Sequence, residues 1–196
     1  MLKKPLRIPL GPFEAYLYDC DGTIAESMSA HVEAWVEEMA VHGLTLDPKL
    51  IYELAGMPAT KTVEVMNQRY GLNLDPETVA KAKEERFFQH FMHRVEPIPE
   101  MIEHLRESAK TMKIAVVSGG RTRIVKATLK ILGIESLVQA LVCAEDVKHG
   151  KPDPEPFLMA AEKLGVHPLK CLVFEDADLG IRSAENAGMK WVRVET

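Results

Sequence analysis

The chain has 196 residues, of which 46% are hydrophobic, and this is enough for a sizeable buried core, at a length between one domain and one domain that carries an insertion. Its formal net charge of -5 gives no electrostatic attraction for nucleic acid or for an anionic membrane surface, and no apolar run approaches the roughly 20 residues that span a bilayer. Its three cysteines lie far apart without paired spacing, which suggests neither a disulfide framework nor a cysteine zinc site. We therefore expect a cytoplasmic protein with a small-molecule partner, either a monomer or a weak homo-oligomer.

The first elements of the chain are a tail and a strand. Residues 1–11 contain two prolines and lack the continuous apolar segment of a signal peptide, so we expect a short N-terminal tail. Residues 13–18 form an aromatic and apolar run, which predicts the first strand. That strand ends abruptly at the polar turn 19–23.

The next segment, 27–95, has helical patterns and no convincing strand. Val32, Trp35 and Met39, for example, fall on one side of a helix. The prolines within 96–99 disfavour a helix that continues across them, so we interpret these residues as a linker back to the core. We therefore predict an inserted, all-helical cap at 27–95.

The remainder of the chain alternates between strand patterns and helix patterns. The predicted strands end in polar residues, as the first one does, and lie at 113–117, 140–143 and 171–174. Apolar residues at helical spacing predict helices over 101–109, 124–132 and 157–164. Such alternation is typical of a parallel sheet covered by helices, in which ligands bind beyond the carboxyl ends of the strands.

The predicted fold is therefore α/β, with a Rossmann-like parallel sheet core and an inserted helical cap. The core would comprise residues 12–26 and 96–196, and the polar ends of its strands are the expected site.

Two carboxylates follow the first predicted strand. Residues two apart in a strand point to the same side, so Asp19 and Asp21 would converge while Cys20 turns away. Two carboxylates in one pocket repel each other, and a bound divalent cation gives both a role. Gly22 permits a sharp turn and a close approach of the backbone. This arrangement indicates chemistry assisted by a cation.

Four blocks of the chain together resemble the motifs of the haloacid dehalogenase superfamily. Residues 18–23, Tyr-Asp-Cys-Asp-Gly-Thr, resemble its Asp-x-Asp-Gly-Thr signature. Residues 116–119 resemble its strand-end Ser/Thr motif, 149–153 its Lys-Pro motif, and 174–181 its acidic metal motif. The order and spacing of the blocks fit, and the resemblance covers nearly all of the chain after the tail.

The resemblance implies a phosphatase that forms an aspartyl-phosphate. Asp19 would attack phosphorus, and Asp21 would protonate the leaving oxygen and then deprotonate the hydrolytic water. Ser118, the backbone of Gly119 and Lys151 would bind the phosphate.

The resemblance also implies Mg²⁺ as the cofactor. Asp19 and Asp176 would be its side-chain ligands, Asp21 would contribute its backbone carbonyl, and Glu175 would bind directly or through water. Two neighbouring carboxylates that we interpret as surface or capping groups are Asp146 and Asp178.

The cap offers weaker candidates for contact with the substrate. The block at 31–35 resembles the hinge-proximal segment of beta-phosphoglucomutases and related sugar phosphatases, and His31 is either a substrate residue or a core histidine beside Trp35. The mutase pattern has an arginine where this chain has Ala59, and Lys61 stands in for it, as in fructose-1-phosphatase-like members. Lys61 and Lys83 are candidates for reaching the substrate, although surface solvation is the simpler interpretation of both.

We therefore expect a phosphomonoesterase acting on a small phosphorylated sugar or a similar metabolite. A mutase of the beta-phosphoglucomutase type is the alternative. A catalytically silent binding module is an alternative of another class, but it has no evident use for the complete set of motif residues. A dehalogenase is disfavoured because that reaction does not need Asp21.

Overall fold

The computed structural model describes residues 2–195, and seven strands and eight α-helices lie within them. The strands are β1 (Ala15–Tyr18), β2 (Ala25–Glu26), β3 (Glu96–Pro97), β4 (Lys113–Val117), β5 (Ala140–Val142), β6 (Cys171–Glu175) and β7 (Lys190–Arg193). The helices are α1 (Met28–Val41), α2 (Pro48–Glu53), α3 (Ala59–Tyr70), α4 (Pro76–Arg86), α5 (Pro99–Ser108), α6 (Thr122–Ile131), α7 (Glu155–Leu164) and α8 (Asp178–Asn186). None of these helices is long and apolar enough to cross a bilayer.

Five strands form one parallel sheet in the order β5-β4-β1-β6-β7. The register places Tyr18, the last residue of β1, beside Val116 of β4 and Phe174 of β6. The chain therefore leaves three neighbouring strands at one edge of the sheet, and the predicted α/β fold is confirmed.

The sheet is buried on both faces, as expected for parallel strands joined by helices. One face, which includes Tyr18 and Val116, packs against α5 and α6. The other face, which includes Leu17 and Val173, packs against α7 and α8. These near-continuous apolar runs explain why the central strands could be located from sequence.

Helices α1 to α4 lie between β2 and β3 in the chain and share an apolar cluster that includes Trp35, Met39 and Val63. The strands β2 and β3 pair antiparallel, which brings the two ends of this insertion together. The helical segment matches the predicted character of 27–95. The division of the chain into a core and a separate cap domain stays a prediction.

Several elements differ from the sequence-based expectation. The edge strand β7 was not predicted, because Lys190, Trp191 and Arg193 leave it mostly exposed and without an apolar run. The two-residue strands β2 and β3 are too short to give a pattern. The tail is not free of the core, since the N–H of Lys3 donates to the carbonyl of Glu195 at 2.7 Å.

Candidate active site

Asp19 lies directly after β1, at the carboxyl edge of the sheet, and is 4% exposed. Its backbone N–H donates to the carbonyl of Phe174 at 3.0 Å, which continues the pairing of β1 with β6 by one residue. Burial raises the pKa of the Asp19 carboxyl, and the neighbouring Glu175 raises it further, while the ammonium of Lys151 opposes both. Burial and the neighbouring carboxylate therefore disfavour the ionised form of Asp19, and a nearby cation stabilises that form.

Lys151 connects the two buried carboxylates. Its ammonium donates to Oδ1 of Asp19 at 2.6 Å, to Oε2 of Glu175 at 2.7 Å and to the carbonyl of Val117 at 3.1 Å. Burial alone would lower the pKa of this ammonium, but the two carboxylates outweigh burial and raise it above its usual range. Lys151 is therefore a permanent positive charge with all three of its donors engaged.

The acidic pair at the end of β6, Glu175 and Asp176, is fixed by hydrogen bonds from neighbouring groups. Glu175 is fully buried, and its Oε1 accepts hydrogen bonds from the backbone N–H groups of Asp176 and Ala177, each at 3.1 Å. Asp176 accepts a hydrogen bond from Oγ1 of Thr23 at 2.8 Å. Burial and the charge of Glu175 raise the pKa of Asp176 to about 7.

These residues fit a magnesium ion. Asp19, Glu175 and Asp176 each offer an oxygen, and these oxygens lie within 4.8 Å of one another. Hard oxygen ligands suit Mg²⁺, which also keeps several waters. Gly22 has a φ of +89°, and a Cβ atom there would collide with the carboxylate of Asp176, so the close approach of this turn to Asp176 requires glycine.

The second motif carboxylate, Asp21, is bound from the helical segment. Its Oδ1 accepts hydrogen bonds from Oγ of Ser27 at 2.6 Å and from Nε2 of His31 at 3.1 Å. The ammonium of Lys83, on α4, lies 2.8 Å from Nδ1 of the same histidine. Burial alone would raise the pKa of Asp21, but His31, Ser27 and Lys83 together lower it to about 2.

The two ring nitrogens of His31, which lies between these groups, have different hydrogen-bond partners. Burial lowers the pKa of His31, and the nearby Lys83 lowers it further. An ammonium has donors only, so Nδ1 must accept from Lys83, and Nε2 is left to donate to Asp21. Burial also lowers the pKa of Lys83 to about 8. Lys83, His31 and Asp21 thus form a hydrogen-bonded chain from α4 to the end of β1.

The loop after β4 meets the helical segment closely. Oγ of Ser118 accepts a hydrogen bond from the N–H of Gly120 at 3.0 Å. A Cβ atom on Gly119 would lie 2.5 Å from the carbonyl oxygen of Gly56, so glycine allows the two backbones to touch. The inserted helices are therefore closed over the strand ends.

A pocket lies between the strand ends and the inserted helices. The apolar part of its wall includes Met28, Trp35, Leu54, Met57 and Phe87. The charged and polar side chains of its wall are Asp19, Asp21, His31, Thr62, Lys83, Glu84, Ser118 and Arg121. A partly apolar pocket with converging polar groups is the usual form of a small-molecule site.

The structure brings most of the predicted site residues together. They are Asp19, Asp21, His31, Ser118, Gly119, Lys151, Glu175 and Asp176. Lys61 is not among them, because its ammonium binds Glu64 one turn along α3 at 2.8 Å and its side chain is 59% exposed.

Lys83 requires a correction. Its interpretation as a solvated surface residue is wrong, since it is 5% exposed and lines the pocket. Helical spacing could have indicated this, because Val79, Ala80 and Lys83 form the buried side of α4. His31 has features of both interpretations, a core histidine and a residue of the site. Its ring stacks on buried Phe87 at 3.8 Å between ring centres, and its Nε2 faces Asp21.

Sequence reasoning missed further residues of the pocket and its surroundings. Thr23 is the last residue of the first motif and binds Asp176, and Ser27 follows the motif closely and binds Asp21. Arg121 and Glu84 both line the pocket, and they come from different elements, one after β4 and the other on α4. No spacing in the sequence links these two, because the inserted helices alone bring them together.

Comparison with known proteins decides the family. The model of the haloacid dehalogenase-like hydrolase family matches residues 16–194. The chain belongs to this family. The resemblance predicted from its motifs is thereby confirmed.

Relatives of this haloacid dehalogenase-like hydrolase include named phosphatases. The chain is 35% identical over 182 residues to a fructose-1-phosphate phosphatase of Escherichia coli, covering 93% of this chain and 96% of that protein. It is 27% identical to a phosphorylated carbohydrates phosphatase of Thermotoga maritima, covering 90% of this chain and 82% of the other. The crystal structure of a beta-phosphoglucomutase from Clostridium difficile is also similar, with a TM-score of 0.77, 26% identity and coverage of 91% and 83%. The prediction of a phosphoric monoester hydrolase is confirmed at the level of the family.

Proposed function

We propose that the protein is a magnesium-dependent phosphatase that hydrolyses a small phosphorylated sugar through a phosphorylated Asp19. The observation that carries this proposal is the convergence of Asp19, Asp21, Lys151 and Asp176 at one edge of the sheet. The names of the relatives, several of which act on phosphorylated carbohydrates, support the substrate class.

Asp19 is suited to attack phosphorus. Lys151 donates a hydrogen bond to its Oδ1 and so orients the carboxylate. A carboxylate approaches a phosphate ester only if positive charge and hydrogen-bond donors offset the repulsion. Lys151 supplies a fixed charge, while the hydroxyl of Ser118 and the N–H of Gly119 supply donors at the adjacent strand end.

Asp21 is suited to move the proton. With its low pKa it is ionised in this arrangement, so it is the base that takes a proton from the hydrolytic water. The proton that Asp21 takes from the water in one turnover is the proton that it gives to the leaving oxygen in the next. His31, which is hydrogen-bonded to Lys83, holds the carboxylate of Asp21 in place through its Nε2.

Asp19 and Asp176 would hold Mg²⁺ with the backbone carbonyl of Asp21. Both oxygens of Glu175 already accept hydrogen bonds, so we propose that Glu175 acts through water. The ion supplies Lewis-acid stabilisation of charge on the phosphoryl oxygens.

Removal of the metal is expected to abolish turnover. EDTA should stop phosphate release from 4-nitrophenyl phosphate, and excess Mg²⁺ should restore it, because the cluster of carboxylates repels the substrate without a cation. Full activity after dialysis against EDTA would contradict the proposed metal dependence. Ca²⁺ is a useful control, because it has the same charge as Mg²⁺ but prefers more ligands and longer bonds. A comparison of the two ions therefore distinguishes specific coordination from general charge screening.

Replacement of Lys83 by Met tests the hydrogen-bonded chain. We expect kcat/KM to fall about 10²-fold, because His31 loses the donor that orients it toward Asp21. Stability at pH 7 should be unchanged or higher, since burial of the ammonium costs free energy that Met does not. The matched control is Lys81→Met on the exposed side of α4, which should leave activity at the wild-type level.

The pH dependence of the same variant has a definite sign. The pKa of Lys83 is lowered from 10.5 to about 8 on folding, so its penalty is complete below pH 8 and disappears as the pH rises toward 10.5. Any stability advantage of Lys83→Met should therefore shrink over that interval in urea unfolding. An advantage that grows with pH would show that the lysine is not held in a desolvated site.

A mutase is the second candidate, because a beta-phosphoglucomutase is among the structural neighbours. The two reactions differ in the fate of the phosphorylated Asp19, which water hydrolyses in a phosphatase and a second substrate hydroxyl attacks in a mutase. We expect free phosphate from hexose phosphates, and isomerisation without release would favour the mutase. The cytoplasmic location and the oligomeric state stay predictions.

A further inference from the structure

The pocket contains a carboxylate that the proposed chemistry does not use. Glu84 lies on α4 next to Lys83, lines the pocket, and has a side chain that is 16% exposed. It contacts neither Asp19 nor the groups assigned to the phosphate. Because the negative charges of a phosphate dianion and a carboxylate repel each other, we expect Glu84 to face the part of the substrate that carries no phosphate.

Arg121 fixes the position of this carboxylate. Its Nε lies 3.0 Å from Oε2 of Glu84, and its Nη2 lies 2.7 Å from Oε2 of Glu77. Glu77 binds the same arginine from outside, because it is 72% exposed and does not line the pocket. One arginine thus bridges two glutamates of α4, and of these two only Glu84 lines the pocket.

The charges around the pocket discriminate between substrates. Besides His31, the lining within residues 2–195 has two cationic side chains, Lys83 and Arg121. Arg121 is engaged by two carboxylates, and Lys83 donates to His31. A second anionic group on the substrate would face the carboxylate of Glu84, while both cations of the lining are already engaged by groups of the protein, whereas a hydroxyl can donate to the same carboxylate.

We propose that Glu84, held by Arg121, determines specificity by accepting hydrogen bonds from substrate hydroxyls and rejecting a second anionic group. The preferred substrates are then monophosphates of uncharged polyhydroxylated compounds, rather than bisphosphates or phosphorylated sugar acids. This inference rests on the proposed phosphatase function.

The test compares two ligands that differ at one end. Hexitol 6-phosphate and 6-phosphogluconate share a six-carbon chain and a phosphate. At the other end, the first carries a hydroxymethyl group and the second a carboxylate. Each is measured as a competitive inhibitor of 4-nitrophenyl phosphate hydrolysis, so that a value is obtained whether or not the enzyme turns it over. Wild type, Glu84→Gln and Glu77→Gln are compared, and thermal unfolding checks that each variant is folded.

Wild type should bind hexitol 6-phosphate at least about tenfold more tightly than it binds the sugar acid, 6-phosphogluconate. Glu84→Gln should reduce that ratio about tenfold, mainly through tighter binding of the sugar acid, because the repelling charge is gone and Arg121 keeps only one of its two carboxylate partners. Glu77→Gln should keep the wild-type ratio and activity, since Glu77 lies outside the pocket.

Equal ratios in wild type and Glu84→Gln would overturn the inference, as would the same change in Glu77→Gln. A wild-type preference for the sugar acid would also overturn it. A failure of the proposed phosphatase function can be distinguished from these outcomes, because wild type would then release no 4-nitrophenol with Mg²⁺ present.

Discussion

Replacement of Asp19 by Asn is expected to abolish phosphate ester hydrolysis while the protein stays folded. Turnover should fall by about 10⁴-fold or more, since an amide oxygen is a poor nucleophile and no other carboxylate has the same position. Stability should change little. Asn is almost isosteric, its Oδ1 still accepts from Lys151, and the lost ion pair is offset by reduced repulsion of Glu175 and Asp176.

The measurement combines phosphate release with thermal unfolding of the same samples. Asp178→Asn is the matched control, because Asp178 lies beside the same acidic loop but is 75% exposed and pairs with Arg193. It should retain wild-type turnover. Comparable turnover in Asp19→Asn and Asp178→Asn would show that Asp19 is not the nucleophile.

Replacement of Lys151 by Met is expected to remove both activity and much of the stability. The change leaves the carboxylates of Asp19 and Glu175 buried without their common cation. Removal of one partner from a buried ion pair costs about 3–5 kcal/mol, which is a large part of the stability of a typical domain. Urea unfolding should show this loss as a lower midpoint with little change in slope.

Two further variants separate the causes of that loss. Lys110→Met removes a lysine from a pair with Glu107 in which both side chains are about two-thirds exposed, and its unfolding should match wild type. Adding Glu175→Gln to Lys151→Met should recover part of the stability, because one unpaired charge is removed, but none of the activity. If Lys151→Met were as stable as wild type, the buried network would not have the energetic role assigned to it.

The parts of this molecule that sequence predicts best are those determined by short-range patterns. The residues after β1, β4 and β6 follow continuous apolar runs, and parallel strands bring their carboxyl ends to one edge. Asp19, Ser118 and Asp176 could therefore be placed near one another before any coordinates were known. Their roles rest on the family resemblance, because spacing alone does not distinguish a nucleophile from a turn residue.

The parts that sequence could not predict depend on how the inserted helices close over the core. Lys61 and Lys83 looked equivalent as lysines of the insertion, but one turns to solvent and the other is buried against His31. The pairing of Glu84 with Arg121 joins residues 37 positions apart on different elements. The direction of each helix face relative to the strand ends decides these contacts, and helical periodicity identifies only which face is apolar.

The most direct measurement of the central claim is mass spectrometry of the enzyme after rapid acid quench during turnover with Mg²⁺. The account predicts one phosphoryl group on the peptide that contains Asp19, present in wild type and absent from Asp19→Asn. A phosphoryl group on another residue, or turnover with no phosphorylated enzyme at any quench time, would contradict it.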